Sequence, residues 1–336
     1  MITLKDIARE AGVSVTTVSN VVHNKGGRVS PALSRQINKI MTRNNYVPSL
    51  AARALSSKVA PIIGVLNHVV PQNGDGFVTD PFHNLFIDSI ETSTRERGYF
   101  TMVRSVKDAR DLATVCKTWR LAGVILVGLS AGEFFDAVRA LGIPFVLIDS
   151  YITAEGVCNV GLEDMHGGYL ATKHLLEHRH RAIAFAAPSM GEDDVIARRL
   201  RGYKQALAEF GVPFDAGRVY ESELHVSAGT QLGHELSKRT DITGIFATAD
   251  MLAAGILAGL RDKGVAVPQD KSIVGFDDNY LCQIISPRLT SVHQNVKEKA
   301  ILATEMIAAQ LAGKKIKEKS RILPVHLVAR ESVRRI

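Results

Sequence analysis

Short apolar runs alternate with helix-forming stretches through most of this chain, from residue 62 onwards. Because strands that run in the same direction need a crossover between them, usually a helix, the alternation predicts parallel sheets covered by helices. The runs are too many for one compact sheet, and the pattern repeats in two halves around residue 160. We therefore expect two doubly wound α/β lobes with a cleft between them. The predicted strands are 62–66, 100–103, 124–127, 145–148, 183–186, 245–247 and 272–276.

The composition excludes several other classes of protein. With 336 residues, 46% of them hydrophobic, the chain can form about two domains with proper cores. It has no run of about 18 apolar residues and no signal-peptide pattern at its start, so we expect a cytoplasmic protein without a membrane partner. Three cysteines without C-x-x-C spacing, Cys116, Cys158 and Cys282, predict buried thiols. Neither a Walker A loop nor G-x-G-x-x-G occurs, so no cofactor is predicted.

The positive charge is concentrated at the N-terminus. The whole chain has a formal charge of +7, from 41 Lys and Arg against 34 Asp and Glu. Residues 1–60 hold nine of the basic and two of the acidic side chains, which accounts for the full excess. A basic segment on an otherwise neutral chain indicates a polyanionic partner such as DNA. A solvated basic face is the alternative that charge alone leaves open.

The N-terminal segment has the start and stop signals of two short helices joined by a tight turn. Thr3 and Asp6 resemble a capping box at the start of a helix over about 4–11, which Gly12 ends. Ser14 can cap a second helix. This is the helix-turn-helix arrangement, in which the second helix enters the DNA major groove. The apolar stripe of that second helix is predicted to be Val15, Val18 and Val22.

A third helix completes a small three-helix head. Ser30 as cap and Pro31 at the first helical position mark its start. A generic three-helix bundle is the alternative interpretation, but the local basic excess favours binding to DNA. Its apolar face is predicted to be Leu33, Ile37, Ile40 and Met41.

The predicted DNA contacts lie on or beside the second helix. Thr16 and Asn20 are four residues apart on the face opposite the valines, so both can enter a groove, where Asn20 can pair with adenine. Thr17, Ser19 and Arg28 are expected to contact phosphates, which positions the head without reading sequence. The full predicted set in the head is Ser14, Val15, Thr16, Thr17, Ser19, Asn20 and Arg28.

A short stretch of helix formers follows the head at 49–55. Isolated helices of about seven residues are marginal in water, so we expect a hinge that becomes helical when something packs on it. Ala51, Ala52 and Leu55 are its predicted DNA contacts, with Leu55 as an apolar wedge in the minor groove. An ordinary linker is the alternative.

Motifs along the whole chain resemble those of the lactose and galactose repressor family. In the head these are TLKDIA at 3–8, AGVS at 11–14, TVS at 17–19, NYVP at 45–48 and the hinge at 51–55. In the body these are DPF at 80–82, GIP at 142–144, HLL at 174–176, RLRGY at 199–203, VGFDD at 274–278 and ARES at 329–332.

The resemblance implies a homodimeric repressor that binds a pseudo-palindromic double-stranded DNA operator. Its body would have the periplasmic-binding-protein fold, with an effector between two lobes that changes operator affinity. The implied organisation is a helix-turn-helix domain over 1–46, a hinge and linker over 47–60, and an effector-binding and dimerisation domain over 61–336.

The resemblance also places the effector residues in the cleft. Asp277 follows a strand and can accept effector hydroxyl groups, Arg199 can donate to them, and Phe82 with His83 lines the first lobe. A surface arginine, a turn-capping aspartate and a core phenylalanine are the structural alternatives. Ala249 stands where sugar-binding members can carry Asn, and Leu224 stands where many present an aromatic. A sugar or polyol is therefore the first expectation, and a nucleobase or a phosphoprotein corepressor is the alternative.

Two patterns suggest other chemistry. Ser130 lies in G-x-S-x-G at 128–132, and Asp277 and His293 follow in the order of α/β-hydrolases. The H-G-G run comes after the serine, however, so we expect no enzyme and place Ser130 at the rim of the cleft. The second pattern joins His174 and His178, four residues apart, to the nearby His180, but it lacks convincing further ligands, so no metal site is predicted.

Overall fold

The computed structural model describes residues 2–22, 27–46, 59–67, 79–129, 132–152 and 154–336. The chain divides into two compact units, Met1–Pro61 and Ile62–Ile336, which we call the head and the body. The predicted hinge residues Ala51, Ala52 and Leu55 lie outside the described residues, as does Ser130.

The head contains three helices that begin at the predicted caps. They are α1 (Leu4–Ala11), α2 (Val15–Val22) and α3 (Pro31–Arg43). The Asp6 N–H donates to the Thr3 hydroxyl at 3.4 Å and the Thr3 N–H donates to the Asp6 carboxylate at 3.0 Å, which confirms the capping box. Gly12 ends α1 with φ +66°, a left-handed conformation that glycine adopts without strain. The Ser14 hydroxyl accepts from the Thr17 N–H at 3.1 Å and caps α2.

The core of the head differs from prediction at one position. Val18 is fully buried, but Val15 is 40% exposed, so its assignment to the apolar stripe was wrong. The reason is that Val15 stands in the first turn of α2, before the helix reaches the other two helices. The head core consists of Ile7, Ala8, Ala11, Val18, Ile37 and Ile40, with Val13, Val21, Val22, Leu33 and Met41 packed against it.

The body alternates strands and helices as predicted. Its helices are α4 (Pro81–Glu96), α5 (Ala109–Trp119), α6 (Glu133–Leu141), α7 (Asp164–Glu177), α8 (Val195–Glu209), α9 (Val226–Leu236), α10 (Asp250–Asp262), α11 (Leu281–Ile284) and α12 (Val296–Leu311). Its strands are β1 (Ile62–Asn67), β2 (Phe100–Ser105), β3 (Gly123–Val127), β4 (Phe145–Ile148), β5 (Cys158–Leu162), β6 (Ile183–Ala187), β7 (Val219–Glu221), β8 (Gly244–Ala247), β9 (Ser272–Asp277), β10 (Thr290–Gln294), β11 (Ser320–Leu323) and β12 (Val325–Val328).

These strands form two six-stranded sheets, one in each lobe. The order is β11-β5-β4-β3-β1-β2 in the first sheet and β12-β10-β9-β8-β6-β7 in the second. All pairs are parallel except β10 with β12, which run antiparallel with His293 opposite His326. The chain passes between the lobes after β5, after β10 and between β11 and β12. The predicted two-lobe α/β architecture is therefore confirmed.

Helices cover both faces of each sheet. In the first lobe α4 and α12 pack on one face, and α5 and α6 cover the other. In the second lobe α7 and α8 lie on one face, and α9 and α10 lie on the other. A single buried cluster includes residues of both lobes, from Phe86 on α4 to Phe276 on β9.

Two glycines allow an unusually close approach of α7 and α8. A Cβ atom on Gly202 would lie 1.9 Å from the Met165 carbonyl oxygen, and one on Gly168 would lie 2.1 Å from the Arg199 carbonyl oxygen. Only residues without a side chain permit this separation of the two backbones. The close packing brings Arg199 on α8 next to the start of α7.

The structure shows the state of the three cysteines and the character of the described helices. Cys116, Cys158 and Cys282 are free and buried, as predicted. Within the described ranges, no helix combines the length and the apolar character needed to cross a bilayer.

Candidate functional site

The exposed face of α2 carries the predicted DNA-reading residues. Thr16 is exposed, and Thr17, Ser19 and Asn20 are partly exposed on the same short helix. Val15 joins this exposed face, at the N-terminal end of the helix. Arg28 is also exposed, beyond residues that lie outside the described part of the chain. The head thus presents a polar helix face of the size that enters a major groove.

Asp277 ends β9 at the carboxyl edge of the second sheet. Its backbone has φ +110°, which is unusual for a residue with a side chain, and it is 8% exposed. One carboxyl oxygen accepts from the Gln294 amide at 2.6 Å, and within the described residues the other accepts no hydrogen bond. Burial and the neighbouring Asp250 carboxyl raise the pKa of Asp277 well above its ordinary value, and Arg199 opposes this shift. The turn-capping alternative for Asp277 finds no supporting hydrogen bond.

Arg199 is a buried residue and not a surface one. Its guanidinium contacts Asp164 at 2.8 Å and donates to the Thr248 carbonyl at 2.6 Å. It also lies over the Phe276 ring, 3.4 Å from the centroid. Burial raises the pKa of Asp164, and the charge of Arg199 opposes that shift. The predicted donor is thus present at the cleft, but much of its hydrogen-bonding capacity is already used.

A second buried ion pair lies in the first lobe and is hydrogen-bonded to the second. Lys299 on α12 is fully buried, and its ammonium group contacts both oxygens of Asp149 at 2.8 Å. It also donates to the Gln294 side-chain oxygen at 2.8 Å. Asp149 follows β4 in the first lobe, and Gln294 ends β10 in the second. The contacts therefore link the carboxyl edges of both sheets.

Phe82 and His83 lie at the start of α4, close to this link. The Phe82 ring is partly exposed and lies 5.3 Å from the Lys299 ammonium group, which places it beside the polar floor of the cleft. A hydrogen bond of 2.7 Å joins His83 to Asp80. Asp80 also caps α4 by accepting from the Phe82 N–H at 3.3 Å. The structure therefore brings Phe82 and Asp277 into one network, through Lys299 and Gln294.

A cavity opens where the start of α4 meets the start of α9. Its volume is about 680 Å³, within the usual range for small-molecule sites. Leu224 is 40% exposed on its wall. The other lining residues are Thr79, Asp80, His225, Val226, Ser227, Thr230, Gln231 and Met251.

Among the described residues of the hydrolase alternative, Asp277 and His293 are not bonded to each other. His293 bonds to Asp278 at 3.0 Å, whereas Asp277 bonds to Gln294. Asp278 is also paired with Arg330. His293 and Arg330 therefore both bind Asp278, and the serine hydrolase alternative is not supported.

The three histidines near the end of α7 have structural partners. The His174 and His178 rings lie 4.3 Å apart, and both nitrogens of His180 are hydrogen-bonded, to Thr243 at 3.0 Å and to the Arg334 carbonyl at 3.1 Å. Among the residues that the structure describes, no three His, Cys, Asp or Glu side chains are arranged to hold a metal ion.

The burial of His174 leads us to expect that the folded protein loses stability in mild acid. Burial, with the neighbouring His178 and His180, lowers the pKa of His174 to about 4. Because the unfolded chain binds this proton near pH 6.5, stability is complete above that value and is lost as the pH falls toward 4. Urea unfolding at several pH values measures this loss. Because His174 is partly exposed, we expect the free energy of unfolding of His174→Gln to fall by about 1–2 kcal/mol less than that of the wild type over this pH range. His166→Gln, an exposed change on the same helix, should keep the wild-type profile; equal profiles for all three proteins contradict the prediction.

The sequence suggested Asp277 and Arg199 as effector residues, which stays a prediction, but it did not suggest the residues that they contact. Asp149, Asp164, Gln294 and Lys299 come from four separate elements, and local patterns give no information on which elements meet. One signal was available: Lys299 lies at the apolar positions of α12, in line with Val296, Ala300 and Ala303, where a lysine is out of place.

Comparisons with known proteins agree with this architecture. Residues 3–49 match the model of bacterial regulatory proteins, lacI family, and residues 172–333 match that of a periplasmic binding protein-like domain. The transcriptional regulator DegA of Bacillus subtilis is 30% identical over 98% of this chain and 97% of its own length. The transcriptional repressor PurR of Vibrio atlanticus is 30% identical over 99% of both proteins.

Solved structures share the same fold. The complex of the regulator CelR with cellobiose matches with TM-score 0.73 and 26% identity, over 99% of this chain and all of the other. A LacI family regulator from Enterococcus faecium with bound ribose gives 0.71 and 28%, over 82% of this chain and 99% of the other. The Lac repressor dimer bound to operator and an anti-inducer gives 0.82 at 23% identity, over 99% of both chains.

Proposed function

Since the chain belongs to the lacI family of bacterial regulatory proteins, it is a DNA-binding transcriptional regulator and not an enzyme, and we propose that it is a repressor controlled by a small carbohydrate. The resemblance inferred from the motifs is thereby confirmed, and the hydrolase alternative is not supported. The observation that carries the effector part is Asp277, a buried carboxyl group at the carboxyl edge of the second sheet, one oxygen of which accepts no hydrogen bond from the part of the chain that the structure describes. Ligands of such sheets bind at this edge.

The head reads the operator through α2. Thr16 and Asn20 enter the major groove, while Thr17, Ser19 and Arg28 contact phosphates. The hinge contacts at Ala51, Ala52 and Leu55 complete the proposed DNA interface. Two copies of the head bind the two halves of a pseudo-palindrome.

Asn20→Ala is expected to relax operator preference at one base pair in each half-site. The lost bidentate contact to adenine corresponds to about 1–3 kcal/mol of discrimination. The measurement is selection of binding sites from a randomised DNA pool, followed by titration of the selected operator. Arg28→Ala is the matched control, which should weaken all sequences alike and reduce the salt dependence. An unchanged preference at every position in Asn20→Ala refutes the assignment.

Exposed apolar groups of the body support a homodimer. Phe100 on β2 is 51% exposed and Trp119 at the end of α5 is 53% exposed, both on the first lobe. Tyr280 and Ile284, beside and on α11, are 61% and 69% exposed on the second. Exposed aromatic and aliphatic side chains can take part in protein interfaces, so we assign these four to the contact between two copies.

A neutral sugar is expected to raise the melting temperature of the protein. Binding at 100 times the dissociation constant stabilises the folded state by about 2.7 kcal/mol, which gives a shift of several degrees. A panel that includes ribose and cellobiose tests this by thermal denaturation. Asp277→Asn should remove the shift, whereas Asp262→Asn, at a half-exposed residue of α10, should keep it. A shift that survives in Asp277→Asn contradicts the proposed site.

A further inference from the structure

Lys299 is a buried charge between the carboxyl edges of the two sheets. Its side chain is fully buried, and its ammonium group has three oxygen contacts at 2.8 Å, two with Asp149 and one with Gln294. An ammonium group has three donors, so all of them are used. The neighbouring Phe82 ring, 5.3 Å away, shields this charge from one side.

The ammonium group also determines which way the Gln294 amide points. Because Lys299 can only donate, it requires the carbonyl oxygen of Gln294 on its side. The amide nitrogen must then point away from Lys299, and it donates to Asp277 at 2.6 Å. Lys299 therefore orients the donor that holds one oxygen of Asp277, although the two residues lie on different elements.

Two buried cations near the cleft are paired within the protein. Lys299 is matched by Asp149, and Arg199 is matched by Asp164. The second oxygen of Asp277 accepts no hydrogen bond among the described residues, and burial raises the pKa of this carboxyl group, which favours its uncharged form. An uncharged carboxyl group exchanges hydrogen bonds with hydroxyl groups, and the paired cations leave no unmatched positive charge for an anionic group.

We propose that Lys299 is the residue that sets the charge of the effector. With Lys299 present, the cleft takes an uncharged ligand rich in hydroxyl groups. Without it, Asp149 becomes an unmatched carboxylate, and the cleft takes a cationic amine in its place. This inference rests on the proposed function, since it names the chemical class of effector for the same site.

The test is a series of sugars of the same ring size that carry a neutral, a cationic or an anionic group. Glucose, glucosamine and glucuronate, and the corresponding galactose set, are titrated by calorimetry and thermal denaturation, with ribose and cellobiose as further neutral ligands. A pH of about 6.5 keeps the amine protonated and the acid ionised. The variant is Lys299→Met, and Lys297→Met is the matched control, because Lys297 lies on the same helix and is exposed.

Of the two single variants, only Lys299→Met is expected to change which sugar of the series binds most tightly. The wild type and Lys297→Met should bind a neutral sugar at least about tenfold more tightly than its amino and acid counterparts. Lys299→Met should bind the amino sugar at least about tenfold more tightly than the neutral one. Adding Asp149→Asn to Lys299→Met removes the unmatched charge and should restore the preference for the neutral ligand.

Lys299→Met leaves a carboxylate without its partner and can therefore fold poorly. Lys299→Gln then takes its place, because it keeps a donor toward Asp149 while removing the charge. The double variant with Asp149→Asn, which has no unmatched charge, serves as the folding control. A change in which sugar binds most tightly therefore reports the charge of the cleft, because a loss of stability alone does not favour one sugar over another.

The other outcomes overturn the inference in distinguishable ways. If the wild type binds the acid or a sugar phosphate most tightly, or if Lys299→Met keeps the wild-type preference, the role of Lys299 is refuted and the carbohydrate effector stands. If no sugar of the series binds, the carbohydrate effector and the inference both fail. A separate measurement of operator binding tests the proposed role of the protein as a DNA-binding repressor, whatever the sugars show.

Discussion

Asp164→Ala is expected to destabilise the body by about 3–5 kcal/mol, which is the largest effect of any single change considered for this protein. Asp164 is fully buried, and Arg199, its partner at 2.8 Å, is 7% exposed. Removal of the carboxylate leaves the guanidinium without its counter-charge inside the protein, and an arginine cannot neutralise itself by losing a proton. The Tyr151 hydroxyl also loses its acceptor.

Urea unfolding at a fixed protein concentration measures this effect, and Asp193→Ala is the matched control. Asp193 also pairs with two arginines, Arg198 and Arg201, but its side chain is 44% exposed. Ion pairs in water contribute about 0–1 kcal/mol, so the control should stay close to the wild type. Similar losses in both variants would show that burial of the Arg199 pair is energetically unimportant.

Gly202→Ala is expected to destabilise the body by about 3 kcal/mol. At an exposed position in a helix the same change stabilises by up to about 1 kcal/mol, so the sign itself is informative. Here the new Cβ atom would lie 1.9 Å from the Met165 carbonyl oxygen, and the two helices must separate to accept it. Separation of α7 and α8 also moves Arg199 away from Asp164.

The measurement is again the free energy of unfolding, combined with sugar binding. Gln205→Ala changes an exposed residue of α8 and should leave both quantities within about 0.5 kcal/mol of the wild type. Gly202→Ala should lose stability and effector affinity together. A stable Gly202→Ala protein with normal affinity would mean that the close helix contact has no role in placing Arg199.

The sequence predicts the head well because its signals are local. Caps at Thr3, Ser14 and Ser30 act on backbone groups within three residues, so no distant contact is needed to place the helix starts. Val15 was misplaced because its exposure depends on where the other helices lie. The predicted strand at 145–148 agrees with β4 at both ends, since apolar β-branched residues bury equally well in any parallel sheet.

Strands with weak local signals were missed. β5 contains Asn159 and Gly161, and β11 and β12 are four residues each with Pro324 between them. Their strand conformation comes from pairing with residues far away in sequence, as when Ser320 pairs with Asn159. Pairing with distant parts of the chain, and not local strand propensity, therefore determines these strands.

The effector site stays a prediction, and the sequence did not reveal the ion pairs around its candidate residues. Asp277 could be suggested because it follows a buried strand, and position at a strand end is visible in sequence. The pairing of Arg199 with Asp164 depends on two helices packing through Gly168 and Gly202, which no local pattern reveals. A lysine on the buried face of a helix is the one local anomaly that points to the interior of the cleft.

The order of the strands has a consequence for how the chain is made. The first sheet begins with residue 62, yet its edge beside β5 is closed by β11, residues Ser320–Leu323. The second sheet ends with β12, only a few residues later. As the polypeptide emerges from the ribosome, neither lobe can complete its sheet until almost the whole body has been synthesised. The head has a core made of its own three helices, so it can fold long before, and the newly made protein can acquire its DNA-reading surface before its effector site.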